Sequence, residues 1–346
     1  MSPRARHKWE EELPPAVSVK AVRQKLGAQQ RFRARVLEGT GKRWLVELED
    51  GQLWECAVAG AVELKEESPT LVAVGDFVEC VPRQGTGVSG LPQGLIVRRE
   101  ARRTKLSRYR RREGKEQVVV SNVDQLAILL AAAEPRYDRF LIDRYLIAAE
   151  KGELAPLLCI NKVDLGDAEQ IRADLRFYAE VLGVPVLLLS ARTGEGLEEF
   201  QTLLAGKATV LSGPSGVGKS TLTNLLLGEE VQRIGEISRK LGQGRHVTTM
   251  ARMFRLPQGG YIVDTPGIRD LTIWELTRAE LPGYFHEFDD WAQECRYQPC
   301  SHIHEPECAV RKAVQEGRLD RQRYENYCRL WMSLPEHAYQ WRGRAR

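Results

Sequence analysis

The residues best suited to chemistry lie past the middle of the chain: Gly213, Pro214, Ser215, Gly216, Val217, Gly218, Lys219 and Ser220. They follow the apolar run ATVLS at 208–212 and open the helical stretch STLTNLLLG, which begins Ser220, Thr221. Glycines at this spacing let main-chain N–H groups turn inward onto α- and β-phosphates, and the helix start adds a positive pole. Lys219 would neutralise β- and γ-phosphates, and Ser220 would ligate Mg²⁺. A plain glycine-rich turn capping a helix accounts for less of this spacing and of its flanks.

A phosphate loop does not choose a base, and nucleoside-monophosphate kinases carry similar loops. The discriminator is Asn161, Lys162, Val163 and Asp164, which end the apolar run LAPLLCI. A carboxylate at Asp164 can accept from both N1–H and the exocyclic amine of guanine, a donor pair that adenine lacks. The stem of Lys162 would cover the base, and Asn161 would tie this loop to the phosphate loop. Ser190, Ala191 and Arg192 end the next apolar run, where guanine-nucleotide proteins offer a main-chain N–H to the guanine O6. Asp264 follows the run GGYIV and would hold Mg²⁺ through water, while the Gly267 N–H would sense the γ-phosphate. Between these elements lies GRHVTT, whose Thr248 or Thr249 would ligate Mg²⁺ in the triphosphate state. His246 can orient or deprotonate a water, and Ile268, where many GTPases place a glutamine, cannot. The order is unusual. Asn161 and Ser190 precede Gly213, whereas ordinary GTPases begin with the phosphate loop, so the chain reads as circularly permuted.

A second constellation is Cys295, Cys300, His302 and Cys308. Three thiolates and one imidazole within fourteen residues suit a closed tetrahedral Zn²⁺ site, with His304 as a competing ligand. Cys56, Cys80, Cys159 and Cys328 have no such company, and Cys80 and Cys159 read as core residues.

The permuted order, the GPSGVGKS loop, the GRHVTT switch and the terminal Cys/His cluster together resemble the RsgA type of ribosome small subunit-dependent GTPases, over roughly residues 30–330. Val247 departs from the pattern, since the family usually has a third threonine there. The resemblance implies three units: an N-terminal oligonucleotide-binding (OB-like) barrel, a central α/β circularly permuted P-loop GTPase and a C-terminal, mostly helical zinc-binding domain. It implies one structural Zn²⁺, Mg²⁺ with GTP, a role in late maturation of the 30S subunit with its 16S rRNA, and hydrolysis stimulated by that subunit. His246 is the catalytic group that the resemblance favours.

The elements that must position these residues are legible in outline. Residues 1–28 lack periodicity and read as a flexible tail; 29–98 carry short alternating runs punctuated by glycine turns, a barrel pattern. Residues 99–116 read as a basic linker. From Arg98 to Lys115 there are ten Lys and Arg against two Glu, a local +8 in a chain of net charge +4. That concentration suits a phosphate backbone or a solvated connection. From 117 to 273, continuous apolar runs alternate with amphipathic helical spacing, which calls for a mostly parallel sheet covered on both faces. From 274 to 346 the pattern is helical, aromatic and basic, with Tyr324, Tyr327 and Trp331 among the cations. Trp44 and Trp54 could stack on RNA bases or fill the barrel. Seven cysteines, no secretory h-region and no apolar run of membrane length point to a reducing cytoplasm and no membrane; the motifs and the resemblance add the expectation of a monomer acting on GTP/GDP and RNA.

Overall fold

A computed structural model describes residues 30–39, 43–64, 68, 70–110, 115–228, 251–264 and 276–336. The expected tail at 1–28 lies outside them.

Five strands close into a barrel: β1 (Phe32–Gly39), β2 (Arg43–Leu48), β3 (Leu53–Leu64), β4 (Phe77–Thr86) and β5 (Pro92–Arg99). Their order is β1-β2-β3-β5-β4, with β4 returning to β1 and β3 lying parallel to β5. That is the connectivity of an OB-like barrel. Alternation along the strands sends Val36, Val46, Val78 and Ile96 inward. Trp44 and Trp54 go inward too, only 6% and 7% exposed. The base-stacking alternative for these tryptophans is therefore corrected: their faces are spent on barrel packing. Cys56 joins Cys80 in the interior, Sγ to Sγ 3.8 Å.

The expected basic linker is also corrected. Lys105–Arg110 forms β6 and Lys115–Ser121 forms β7, paired antiparallel. Leu106 of β6 and Val118 and Val120 of β7 are buried, so the cations of 99–116 decorate a strand pair that local charge counting obscures. Arg102 is not free for RNA. Its side chain is 2% exposed and its Nε and Nη2 donate to the fully buried Asp76 at 2.7 and 2.8 Å. Asp76 also accepts from Ser121 Oγ (2.6 Å) and Ala73 N (2.7 Å), locking the barrel to β7. Asp76→Ala would strand a buried guanidinium, and we expect it to cost ~3–5 kcal/mol. A urea-unfolding midpoint equal to that of the unsubstituted protein would contradict this account of the junction.

The central sheet holds β8 (Gln125–Ala131), β9 (Ala155–Asn161), β10 (Val186–Leu188), β11 (Ala208–Ser212), β12 (Arg252–Arg255) and β13 (Tyr261–Asp264). Its order is β10-β9-β8-β11-β13-β12; all neighbours are parallel except β12 with β13. β8 shows why the run is continuously apolar. Leu126, Ile128 and Leu130 face one core with Ile142 and Tyr145 of helix α1 (Arg139–Lys151) and Leu175 and Tyr178 of α2 (Ala168–Glu180). Ala127, Leu129 and Ala131 face the other, with Phe200 and Leu204 of α3 (Leu197–Leu204) and Leu222 and Leu226 of α4 (Lys219–Leu227). Both faces of the sheet are thus covered, as parallel strands require.

The C-terminal region is helical, with short 3-10 turns, α5 (Ala309–Gln315) and α6 (Arg321–Ser333) around Phe285, Phe288, Val310 and Tyr327. It docks on α1 and α2 through buried polar groups. Asp143 accepts from Arg323 Nη1 (2.7 Å), Asn326 Nδ2 (2.6 Å) and Tyr178 Oη (2.7 Å), and Arg323 Nε donates to Glu287 (2.7 Å).

Candidate nucleotide-binding edge and Cys/His centre

Parallel strands deliver their C-terminal ends to one edge of the sheet, and ligands of such sheets bind there. β11 runs into residues 213–218 and then α4; β9 runs into Lys162 and Asp164; β10 leads to Ser190 and Ala191. Asp264 ends β13 opposite Leu211, one strand from the phosphate loop. Positions separated by up to a hundred residues in sequence therefore share one edge.

Local geometry explains several residue types. A Cβ at Gly213 would lie 1.9 Å from the Leu129 carbonyl oxygen, so only glycine lets the loop leave β11 here. Gly216 and Gly218 take left-handed φ of 84° and 97°, and a Cβ at Gly218 would meet Asn161 Nδ2 at 2.3 Å. Asn161 acts as a rivet. Its Nδ2 donates to Val217 O (2.8 Å) in the phosphate loop, and its Oδ1 accepts from Ala191 N (3.0 Å). The Ala191 amide is thus paired within the protein in this structure.

Asp164 accepts from Ser190 Oγ at 2.5 Å and from Arg192 Nη2 at 2.7 Å. The Ser190 hydroxyl, helped by Arg192, holds its carboxyl below the usual range. It stays an acceptor-only group through neutral and mildly acid pH, as recognition of two N–H donors requires. The Asp164–Arg192 pair had no signal in the sequence, because it depends on β9 and β10 lying side by side. Lys162 is left-handed at φ 61° and donates from Nζ to Glu134 O at 2.7 Å. Lys219 Nζ bridges the loop mouth, donating to Gly213 O (2.8 Å) and Pro214 O (2.6 Å). Ser215 and Ser220 are exposed at this mouth, as is Thr221 in the first turn of α4. His246, Thr248, Thr249 and Gly267 lie outside the described residues.

The second site is a buried pocket of ligand atoms. The donor atoms of Cys295, Cys300, His302 and Cys308 all fall within 4.8 Å of one another. Cys295 Sγ is 3.8 Å from Cys308 Sγ, and His302 Nδ1 is 3.7 and 3.5 Å from those two sulfurs. A tetrahedral ion with metal–sulfur bonds of ~2.3 Å separates its sulfurs by roughly 3.8 Å, so the donor set and its spacing fit zinc. Burial and the neighbouring sulfur of Cys308 push Cys300 up to about 12, so ionising all three thiols requires a cation to share the charge. His304 is exposed beside Trp331 and is not in the cluster, which leaves His302 as the imidazole. Tyr324 Oη and Tyr327 Oη donate to the carbonyls of His302 and Ser301 (2.8 and 2.6 Å), so α6 buttresses the ligand loop.

Comparison with known proteins agrees with this layout. A sequence model described as RsgA GTPase matches residues 99–274. The small ribosomal subunit biogenesis GTPase RsgA of Chlorobaculum parvum is 42% identical over 302 residues, 86% of this chain and 96% of that protein. This chain belongs to the RsgA GTPase family. The Chlorobaculum tepidum RsgA is 43% identical over the same shares of the two chains. The crystal structure of YjeQ from Thermotoga maritima matches with a TM-score of 0.67 and 33% identity, over 88% of this chain and 99% of that one. The crystal structure of YloQ, a circularly permuted GTPase, matches in fold at TM-score 0.65 and 24% identity, over 88% of this chain and 95% of that one. As an RsgA-family member the chain is a GTP hydrolase with a barrel, a permuted GTPase core and a helical Cys/His region. Among the described residues no helix is long and apolar enough to cross a membrane.

Proposed function

We propose that this chain acts on the 30S ribosomal subunit during late maturation, hydrolysing GTP to GDP and phosphate in a cycle that the subunit stimulates. The observation that carries the nucleotide half is Asn161: one side chain joins the phosphate loop to the base-side loops, with Asp164 set to accept two N–H donors. A kinase reading gives Asp164 no such role. The names of the relatives supply the ribosomal half.

The main-chain N–H groups of 213–218 wrap the phosphates, Lys219 leaves its carbonyl partners for the β- and γ-oxygens, and Asp164 holds the guanine edge. Ser220 and one of Thr248 or Thr249 would hold Mg²⁺, with Asp264 reaching it through water, and the ion would offset charge on the phosphate oxygens. His246 orients the attacking water; a bond forms from that water to the γ-phosphorus as the bond to the β–γ bridging oxygen breaks. The 30S particle places His246, which makes slow intrinsic turnover fast on the subunit. Zn²⁺ is held by Cys295, Cys300, His302 and Cys308 and serves folding rather than catalysis. The barrel ends near residue 98, β6 and β7 join it to the permuted core, and the C-terminal unit begins near residue 274; the protein is a cytoplasmic monomer, and exposed cations contact the 16S rRNA backbone. Among them, Lys312, Arg318 and Arg321 surround α5 and the start of α6.

Turnover measured with and without purified 30S particles tests this reading. We expect the unsubstituted protein to be stimulated ~100-fold or more and His246→Ala to bind 30S without that stimulation, a barrier change of roughly 3 kcal/mol. Equal turnover with and without 30S would overturn it.

A further inference from the structure

We infer that Glu134, in the connection between β8 and α1, is a positioning residue for guanine binding, acting through its main-chain carbonyl on Lys162. The inference rests on the guanine-pocket reading above and adds to it a residue that no motif in the sequence marks.

Lys162 Nζ donates to Glu134 O at 2.7 Å. An ammonium on a four-carbon stem is flexible, and a fixed acceptor for its tip removes much of that freedom before a ligand arrives. The stem is the part expected to lie across the base. Its tip is therefore anchored on a neighbouring loop, while its backbone is fixed in the left-handed region at φ 61°. Glu134 is itself left-handed, at φ 51°, a conformation that non-glycine residues seldom adopt. In that conformation its carbonyl oxygen meets Lys162 Nζ.

The same loop reaches the phosphate side. A Cβ added at Gly216 would lie 3.7 Å from Pro135 Cδ and 3.9 Å from Glu134 O, so this loop runs beside the phosphate loop. Glu134 and Pro135 thus lie beside the phosphate loop, while Glu134 O is bonded to the base loop. The loop is held at its far end by Tyr137, whose N–H donates to Ala131 O (2.8 Å) and whose hydroxyl donates to Asp174 (2.6 Å). The Glu134 side chain is exposed, so the carboxylate is not the working part. The backbone conformation is.

This assigns opposite outcomes to two substitutions at one position. Glu134→Gly keeps the left-handed conformation freely and should leave GDP affinity within about twofold of the unsubstituted protein. Glu134→Val resists that conformation, should turn the carbonyl away and should weaken GDP binding ~10-fold. In a Lys162→Ala background the same valine should have no further effect beyond about twofold. Calorimetric titration of GDP into the unsubstituted protein, the two Glu134 variants, Lys162→Ala and Lys162→Ala with Glu134→Val, with melting curves to verify that each of the five is folded, reads all of these. Glu134→Val binding as well as Glu134→Gly, or a valine effect that persists undiminished without Lys162, overturns the inference. Failure of the guanine pocket itself would look different: ADP would bind the unsubstituted protein as tightly as GDP, whatever the residue at 134.

Discussion

Gly213→Ala should fold and lose nucleotide. The added Cβ would sit 1.9 Å from the Leu129 carbonyl oxygen and 3.0 Å from its carbon, both main-chain atoms of the central strand β8. Neither a flexible tip nor a rotamer change can relieve such a contact, so the loop must leave β11 along another path. The N–H groups that should converge on the phosphates then diverge, and a misplacement of about 1 Å is enough to cost ~100-fold. We expect GTP and GDP affinity to fall at least ~100-fold, with overpacking lowering stability by only ~1–3 kcal/mol. Fluorescent-nucleotide titration alongside chemical denaturation separates the two. Tight binding by a stably folded alanine variant would show that the loop does not need its close exit from β11.

Removing the Zn²⁺ proposed for the Cys/His centre should produce the other large effect, and it should travel. Cys300→Ser, or a strong chelator, takes away a ligand whose site closes the loop between 295 and 308 onto α6. Zinc sites of this kind contribute on the order of 10 kcal/mol to the folding of their unit. We therefore expect α5 and α6 to lose fixed packing, with loss of the near-ultraviolet signal from Trp291 and Trp331. The GTPase core should then weaken as well. Arg323 and Asn326 leave with α6, and Asp143 is left in the protein with its strongest partners gone. Breaking a buried pair in this way costs ~3–5 kcal/mol. A zinc-depleted protein whose core unfolds at the same denaturant concentration as the loaded one would contradict this coupling.

That contact also changes how nucleotide state could reach the C-terminal region. The sequence suggests a covalent route, since the segment after Asp264 runs on into the helical region, but residues 265–275 are outside the described part. The structure adds a route through α1 and α2, whose Asp143 and Tyr178 meet Arg323 of α6 and whose Arg139 donates to Asp320 at 2.8 Å.

What could be read in advance divides along physical lines. The phosphate loop, the Asn161–Asp164 run and the Cys/His cluster are local patterns in which residue types and spacing carry the chemistry, so they are legible in one dimension. So is the parallel sheet, because β8 is apolar from Leu126 to Ala131 and both its faces are buried. The barrel closure follows from pairings among strands that periodicity can locate but not order. Charge misled at 99–116: a count of cations cannot distinguish a linker from β6 and the start of β7, where the buried Leu106 is surrounded in sequence by cations. Nor can it reveal that Arg102 is buried on Asp76, 26 residues upstream. Tryptophan is ambiguous for a related reason, since a large amphipathic ring serves a core or a stacking surface equally well until its neighbours are known. Asp143 with Arg323 is the extreme case, a pair 180 residues apart with no motif around either member.

The central claim is that a permuted chain still gathers one guanine-selective pocket at the edge of its sheet. Calorimetric titration with GDP and with ADP, on the unsubstituted protein and on Asp164→Asn, tests it most directly. A site built to pair with the two guanine donors should prefer GDP by roughly 10³-fold or more, and Asp164→Asn should erase most of that preference. ADP binding within about tenfold of GDP, or an asparagine variant that keeps its discrimination, would mean that Asp164 does not read the base and that the pocket drawn here is wrong.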